Sequence, residues 1–246
     1  MMEQEDNVNI IILAAGKGTR MKSDLPKVMQ ELKNQPLVEY VVTSVEKLGI
    51  KPVVVVSEDN IVRDYLGDRA EYVIQGEKLG TGHAVMQAEK LLKDKIGNVV
   101  VLYGDMPFIK SESIESLVKI HNENKSKITL MTVKISDFEN EYKDFYDFGR
   151  VFRNQEGEVE KIVEKKDASE EELKITELNT SYFCFDNIWL WENINKLKNN
   201  NVPGEYYLTD LVEIALQGGE KISTVEISPE EAVGINTKEG LEKANK

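Results

Sequence analysis

The sequence predicts an α/β fold, a mostly parallel sheet covered by helices on both faces. Two observations carry this. Residues 8–13, 51–56 and 98–103 are continuous apolar runs, not alternating ones, as expected of strands buried on both sides. Between them lie stretches of helical periodicity that stop at glycine, as at Gly49 and Gly67. A length of 246 residues suits one such domain. Residues 8–125 form its core, and residues 126–246 form a smaller lobe with closing elements.

The elements follow in order. Residues 8–13 are the first strand, and 37–48 a helix. Residues 51–56 are the second strand, 61–66 a short helix and 72–74 a short strand. Residues 81–92 are helical, 98–103 are another buried strand and 111–121 another helix. The second half changes character. Residues 128–135, 149–152, 159–163 and 177–185 read as strands with few helices between them. Helices return at 187–197 and 206–217. A last strand at 222–227 precedes a closing helix at 238–243. The result is a Rossmann-like core with a smaller mixed-sheet lobe. In such folds a ligand lies at the carboxyl ends of the strands.

Composition narrows the function. The net charge is −13, which disfavours nucleic acid and anionic membranes as partners. No apolar run reaches membrane-spanning length, and the acidic first residues do not resemble a secretory signal. The single cysteine, Cys184, permits no internal disulfide and reads as a packed strand residue. Together these point to a soluble cytoplasmic protein.

Within this acidic chain one knot is basic. Leu13-Ala14-Ala15-Gly16-Lys17-Gly18-Thr19-Arg20-Met21 leaves the first strand and runs on to Leu25-Pro26-Lys27. Lys17, Arg20, Lys22 and Lys27 set four cations within eleven residues, against one acid, Asp24. A glycine-rich turn after a buried strand presents backbone N–H groups, and with these cations it suits a nucleoside triphosphate. Pro26 fixes the backbone before Lys27.

Two further motifs stand at the same sheet edge. In Gln75-Gly76-Glu77-Lys78-Leu79-Gly80-Thr81-Gly82-His83, Gln75 offers a donor and an acceptor to a base edge. Gly80 admits close backbone approach, and Thr81 suits a helix cap. His83 reads as a packed or capping residue, since no acid pairs with it in sequence. Tyr103-Gly104-Asp105-Met106-Pro107 closes a strand, and Asp105 suits an Mg²⁺ ligand beside phosphates. Asn236 is either a second metal ligand or the N-cap of the last helix. Gly149, Glu164 and Asn179 stand at strand edges of the smaller lobe, with hydrogen-bonding groups suited to sugar hydroxyls.

The series LAAGKGTRM, SDLPKV, LGTGHAV, LYGDMP, FGR, VEKKDAS, LNT, GEYYLTD and VGINT, in that order over residues 13–237, resembles one family. It is the uridylyltransferase (pyrophosphorylase) domain of the bifunctional N-acetylglucosamine-1-phosphate uridyltransferase/glucosamine-1-phosphate acetyltransferases. The resemblance implies a Mg²⁺-dependent enzyme making UDP-N-acetylglucosamine and pyrophosphate from UTP and N-acetylglucosamine 1-phosphate. It implies backbone contacts to the nucleotide from Leu13, Ala14, Ala15 and Gly16, and phosphate binding by Arg20 and Lys27. Gln75 and Gly80 would read uracil. Thr81, Tyr103 and Gly104 would line the ribose and sugar sides. Asp105 and Asn236 would hold Mg²⁺, and Gly149, Glu164 and Asn179 the amino sugar. The motif at 205–210 is expected to pack near the sugar lobe. No partner protein is implied.

The chain departs from that pattern in places. It carries no hexapeptide β-helix for acetyl transfer. Residues 137–147 are longer and more acidic and aromatic than usual. Phe148 stands where tyrosine is common, and Ser181 where glycine is common. The alternatives are a UTP-dependent enzyme for another sugar 1-phosphate, such as glucose 1-phosphate, and a non-catalytic nucleotide-sugar sensor.

Overall fold

The computed structural model describes residues 7–16, 18, 21 and 23–246. Its strands are β1 (Val8–Leu13), β2 (Glu31–Leu32), β3 (Gln35–Pro36), β4 (Val53–Val56), β5 (Glu71–Ile74), β6 (Asn98–Tyr103), β7 (Ile128–Lys134), β8 (Gly149–Arg153), β9 (Val159–Val163), β10 (Glu177–Asp186) and β11 (Ile222–Glu226). Its α-helices are α1 (Leu37–Glu46), α2 (Ile61–Leu66), α3 (Thr81–Met86), α4 (Glu89–Leu92), α5 (Ser111–Asn124), α6 (Asn187–Asn193), α7 (Asp210–Gln217) and α8 (Lys238–Ala244).

One mixed sheet carries the molecule, in the order β11-β7-β10-β6-β1-β4-β5, with β8 and β9 branching from β10. The pairs β6–β1, β1–β4, β4–β5 and β11–β7 are parallel. Strand β10 runs antiparallel to β6, β7 and β8 alike. Strands of the second half therefore extend the first sheet, and the small lobe is its β8–β9 branch.

The continuous apolar runs are explained by burial on both faces. Ile10, Ile12, Val54, Val100 and Leu102 pack on one side under α1, α2 and α5. Ile11, Val53, Val55, Val99 and Val101 pack on the other under α3, α6 and α7. Each fully buried valine or isoleucine contributes about 1.5–3 kcal/mol. Cys184 is buried in β10 opposite Val100, and burial holds its thiol in the protonated form.

Three elements differ from the sequence reading. The 81–92 helix breaks in two because the Gln87 amide donates to the His83 carbonyl at 2.9 Å, which the Gln87 backbone N–H would otherwise use. That N–H turns to Ala84 instead. The 206–217 helix begins only at Asp210, because residues 206–208 are tied to the loop before α3. Tyr206 N–H donates to Leu79 O and Gly82 N–H to Tyr206 O, each at 2.8 Å. The hairpin β2–β3 was not anticipated. Lys33 and Asn34 both take positive φ, 47° and 65°, as a two-residue hairpin turn requires.

Candidate active site

The carboxyl ends of β1, β5 and β6, together with the β8–β10 branch, surround a cleft of about 720 Å³. Leu13, Ala15 and Gly16 form its floor at the end of β1. Ala14 lies beneath, its N–H held by Val55 O, and Gly104 is likewise buried, its N–H held by Leu13 O. Arg20, with Lys17, Thr19 and Lys22, falls outside the described residues.

Lys27 stands at the centre. A Cβ on Gly18, which takes φ +58°, would lie 2.6 Å from the Lys27 Cβ, so the glycine turn and this lysine require each other. The Lys27 ammonium donates to Asp105 Oδ2 and, at 2.8 Å, to Asn236 Oδ1. Two oxygens from segments far apart in sequence thus converge on one cation. Asn236 does not cap α8. Thr237 does, its hydroxyl accepting from Gly240 N–H at 3.0 Å.

One carboxylate and one amide carbonyl are hard oxygen donors. They fit Mg²⁺, which takes one or two protein oxygens and completes its shell with phosphates and water. Among the described residues no group of three or more His, Cys, Asp or Glu side chains is arranged to hold a metal by itself.

One end of the cleft is set by the β5–α3 loop. Gln75 is 5 % exposed, and its amide N–H groups reach Gly80 O and His83 Nδ1, each at 3.2 Å. Gly80 takes φ +106°, and a Cβ there would meet Tyr206 O at 2.6 Å. Thr81 does not cap α3. Its hydroxyl accepts from Leu208 N–H at 3.1 Å. The 205–210 motif therefore packs against the β5–α3 loop. It also reaches Glu164, to whose Oε1 Thr209 donates at 3.0 Å.

Gly149, Glu164 and Asn179 line the same cleft. Register pairs Asn179 with Gly149 across β10 and β8. An ideal Cβ on Gly149 would lie 3.3 Å from Glu164 Oε1. Burial raises the Glu164 carboxyl above the usual range, and the Thr209 hydrogen bond works against it. The Asn179 amide nitrogen is buried with no partner among the described residues, a donor left for a ligand. Burial also raises the Tyr103 phenol, so it is a neutral hydrogen-bonding group.

Sequence reasoning missed several lining residues. Lys78 adds a cation, its Nζ donating to Gln75 O at 2.5 Å. Ser181 and Thr180 enter through an irregularity in β10 that no local pattern signals. The unusual segment is a 3-10 run, Asn140–Asp147, of which only Asp147 reaches the cleft. Its aromatics Tyr142 and Phe145 wall a second cavity of about 440 Å³ that shares Asp147, Phe148, Gly234 and Asn236 with the first.

Beneath this wall lies Arg150, 0 % exposed, its guanidinium against the rings of Phe138 and Tyr146, which themselves meet edge to face at 5.2 Å. It forms no salt bridge among the described residues. Its guanidinium donates to the carbonyls of Phe148, Tyr146 (3.0 Å) and Leu173 (3.3 Å).

The fold and cleft are of the α/β kind in which nucleotides bind outside the carboxyl ends of the strands. The chain belongs to the MobA-like NTP transferase domain family, which matches residues 10–137. It is 44 % identical over 243 residues to the bifunctional protein GlmU of Latilactobacillus sakei, covering 98 % of this chain and 51 % of that protein. It is 42 % identical over 237 residues to the bifunctional protein GlmU of Clostridium botulinum, covering 95 % and 50 %. The chain thus spans about half the length of these curated relatives. A crystal structure of a putative glucose-1-phosphate thymidylyltransferase from Bacillus anthracis, in complex with a sucrose, shares the fold. Its TM-score is 0.75 at 20 % identity, covering 97 % of this chain and 94 % of that one. No helix among the described residues is long and apolar enough to cross a membrane.

Proposed function

We propose that this chain is a Mg²⁺-dependent uridylyltransferase joining UTP and N-acetylglucosamine 1-phosphate into UDP-N-acetylglucosamine, with release of pyrophosphate. One observation carries the reading. Lys27, Asp105 and Asn236 converge in the one cleft that Gln75, Gly80, Gly149, Glu164 and Asn179 also line. A triphosphate laid with its base at Gln75 and a sugar phosphate laid with its ring at Asn179 would bring their phosphates to this point.

The chemistry needs no general base. A phosphate monoester with a second pKa of about 6 is mostly dianionic at neutral pH and attacks as it stands. A phosphate oxygen of the sugar phosphate bonds to the α-phosphorus of UTP. The bond from that phosphorus to the bridging oxygen breaks, and pyrophosphate leaves in line. Lys27 donates to phosphate oxygens as charge builds on them, and Arg20 is assigned the same task. Gln75 and the Gly80 backbone orient the base. Glu164 accepts from sugar hydroxyls, and Asn179 Nδ2 donates to the sugar. Asp105 and Asn236 would hold Mg²⁺, which when bound neutralises phosphate charge. The chain's own work is positioning and electrostatics.

The test is pyrophosphate release with UTP and Mg²⁺, comparing N-acetylglucosamine 1-phosphate with glucose 1-phosphate. Preference for the acetylated sugar is expected. Preference for glucose 1-phosphate would keep the transfer and change the substrate. Release with neither would overturn the reading.

A further inference from the structure

Ser181 has a backbone conformation that favours glycine, at φ +66°. It sits in a bulge of β10. Asn179 pairs with Thr132 and Phe183 with Leu130, so four steps on β10 face two on β7. The bulge is well anchored. Thr180 is buried and donates to Met131 O at 2.9 Å, and Tyr182 is fully buried beneath. Bulges beside active sites commonly re-aim a side chain. Here two groups are re-aimed. Ser181 N–H donates to Asn179 Oδ1 at 3.0 Å, which leaves the Asn179 Nδ2 as the unpartnered donor. The Ser181 side chain itself lines the cleft, as do Tyr103 and Thr81.

The bond to Asn179 Oδ1 is donated by the Ser181 backbone N–H and would survive with glycine, which takes this conformation without strain. A serine here therefore keeps a strained backbone while adding only a hydroxyl. Strain retained at a site is a mark of use. The serine lines the same cleft as Tyr103, Asn179, Gly149 and Glu164, and Asn179 pairs in register with Gly149.

Resting on the uridylyltransferase reading, we propose that the Ser181 hydroxyl is a specificity-determining contact to a ring hydroxyl of the sugar 1-phosphate. Ser181 and Asn179 then act as a pair from one bulge, a hydroxyl and an amide donor.

Two variants test this. Ser181→Gly removes the hydroxyl and relieves the backbone. Ser181→Ala removes the hydroxyl and keeps the strain. Both are expected to raise the KM for N-acetylglucosamine 1-phosphate about five-fold, the worth of one hydrogen bond. KM for UTP and kcat should stay within about two-fold. The glycine variant should melt no lower than the parent, a split that a purely structural serine would not give. Unchanged sugar KM in both variants would overturn the proposal. So would a loss confined to glycine, a shift in UTP KM instead, or a fall in the glycine variant's Tm. A calorimetric titration with UDP-N-acetylglucosamine separates this from the parent reading. Binding weakened about five-fold in both variants of a protein that releases no pyrophosphate would uphold the contact and sink the transfer. Equal binding to parent and variants would sink the contact.

Discussion

Replacing Arg150 by methionine probes what holds the wall formed by residues 138–148. Methionine keeps an unbranched apolar stem against the rings of Phe138 and Tyr146, so little cavity forms. What disappears is the donor set. The carbonyls of Tyr146, Phe148 and Leu173 lose a partner at once. A buried acceptor left unmade costs about 1–3 kcal/mol, so the three together cost about 3–5 kcal/mol at the low end of that range. Burial already lowers the guanidinium pKa, which means the folded state bears a desolvation cost that the variant escapes. With about 1–2 kcal/mol recovered this way, the net loss is about 2–3 kcal/mol. For a domain of this size that corresponds to a Tm lower by about 5–10 °C. Thermal unfolding followed by circular dichroism measures it, and hydrogen exchange locates it. Protection should fall across residues 138–148, with the central strands unchanged. KM for the sugar phosphate should rise, since Phe148 and Gly149 lose their backing. A Tm within about 2 °C of the parent, or unaltered exchange at 138–148, would refute the reasoning.

Lys27→Ala and Asp105→Ala are expected to fold, by circular dichroism, yet to lose about two to three decades in pyrophosphate release. Normal turnover in the Asp105 variant would sink the metal assignment. Gly149→Ala sets a methyl 3.3 Å from Glu164 Oε1, and should raise the sugar KM about ten-fold with UTP KM unmoved. Equal changes in both KM values would count against a sugar-specific role. The Asp210 carboxyl is pushed up to about 6 by burial, and next by Glu164, from its ordinary 3.8. The folded chain thus holds this proton more tightly than the unfolded chain. Stability falls as pH rises from about 4 to about 6, and the penalty persists above. Asp210 is half-buried, so screening leaves about 1 kcal/mol of this. Asp210→Asn should therefore raise Tm by about 2–4 °C at pH 8 and leave it unchanged near pH 4, as thermal scans at the two pH values would reveal.

Much of the fold was legible because its signals are local. The runs at β1, β6 and β9 and the helix α2 were readable to the residue, since apolar strand runs and glycine stops lie within a few positions of each other. What escaped depends on distant partners. The break between α3 and α4 arises from one glutamine side chain competing for a carbonyl. The late start of α7 arises from backbone bonds to a loop more than a hundred residues earlier. The site divides in the same way. Lys27, Asp105 and Asn236 were each identified by chemistry and motif, but no spacing announces that one ammonium bridges the other two. The helix-cap alternative for Asn236 falls only because the neighbouring threonine takes the cap. The Ser181 contact depends on a bulge whose register shift is visible only once β7 and β10 are paired.

The place of β10 bears on how the chain reaches this state. Strand β6 has β1 on one side and β10 on the other, and Phe183 pairs with Val101. During synthesis the partner on that second side emerges some eighty residues later. Until then Val99, Val100, Val101 and Leu102 present an apolar strand with a row of open backbone donors and acceptors, which is a template for pairing between nascent chains. The same strand that brings Asn179 and Ser181 to the sugar end is thus the piece that closes the nascent sheet. Refolding yield should be limited by the arrival of β10, and the window before it arrives is where a chaperone holding the β6 edge has most to protect.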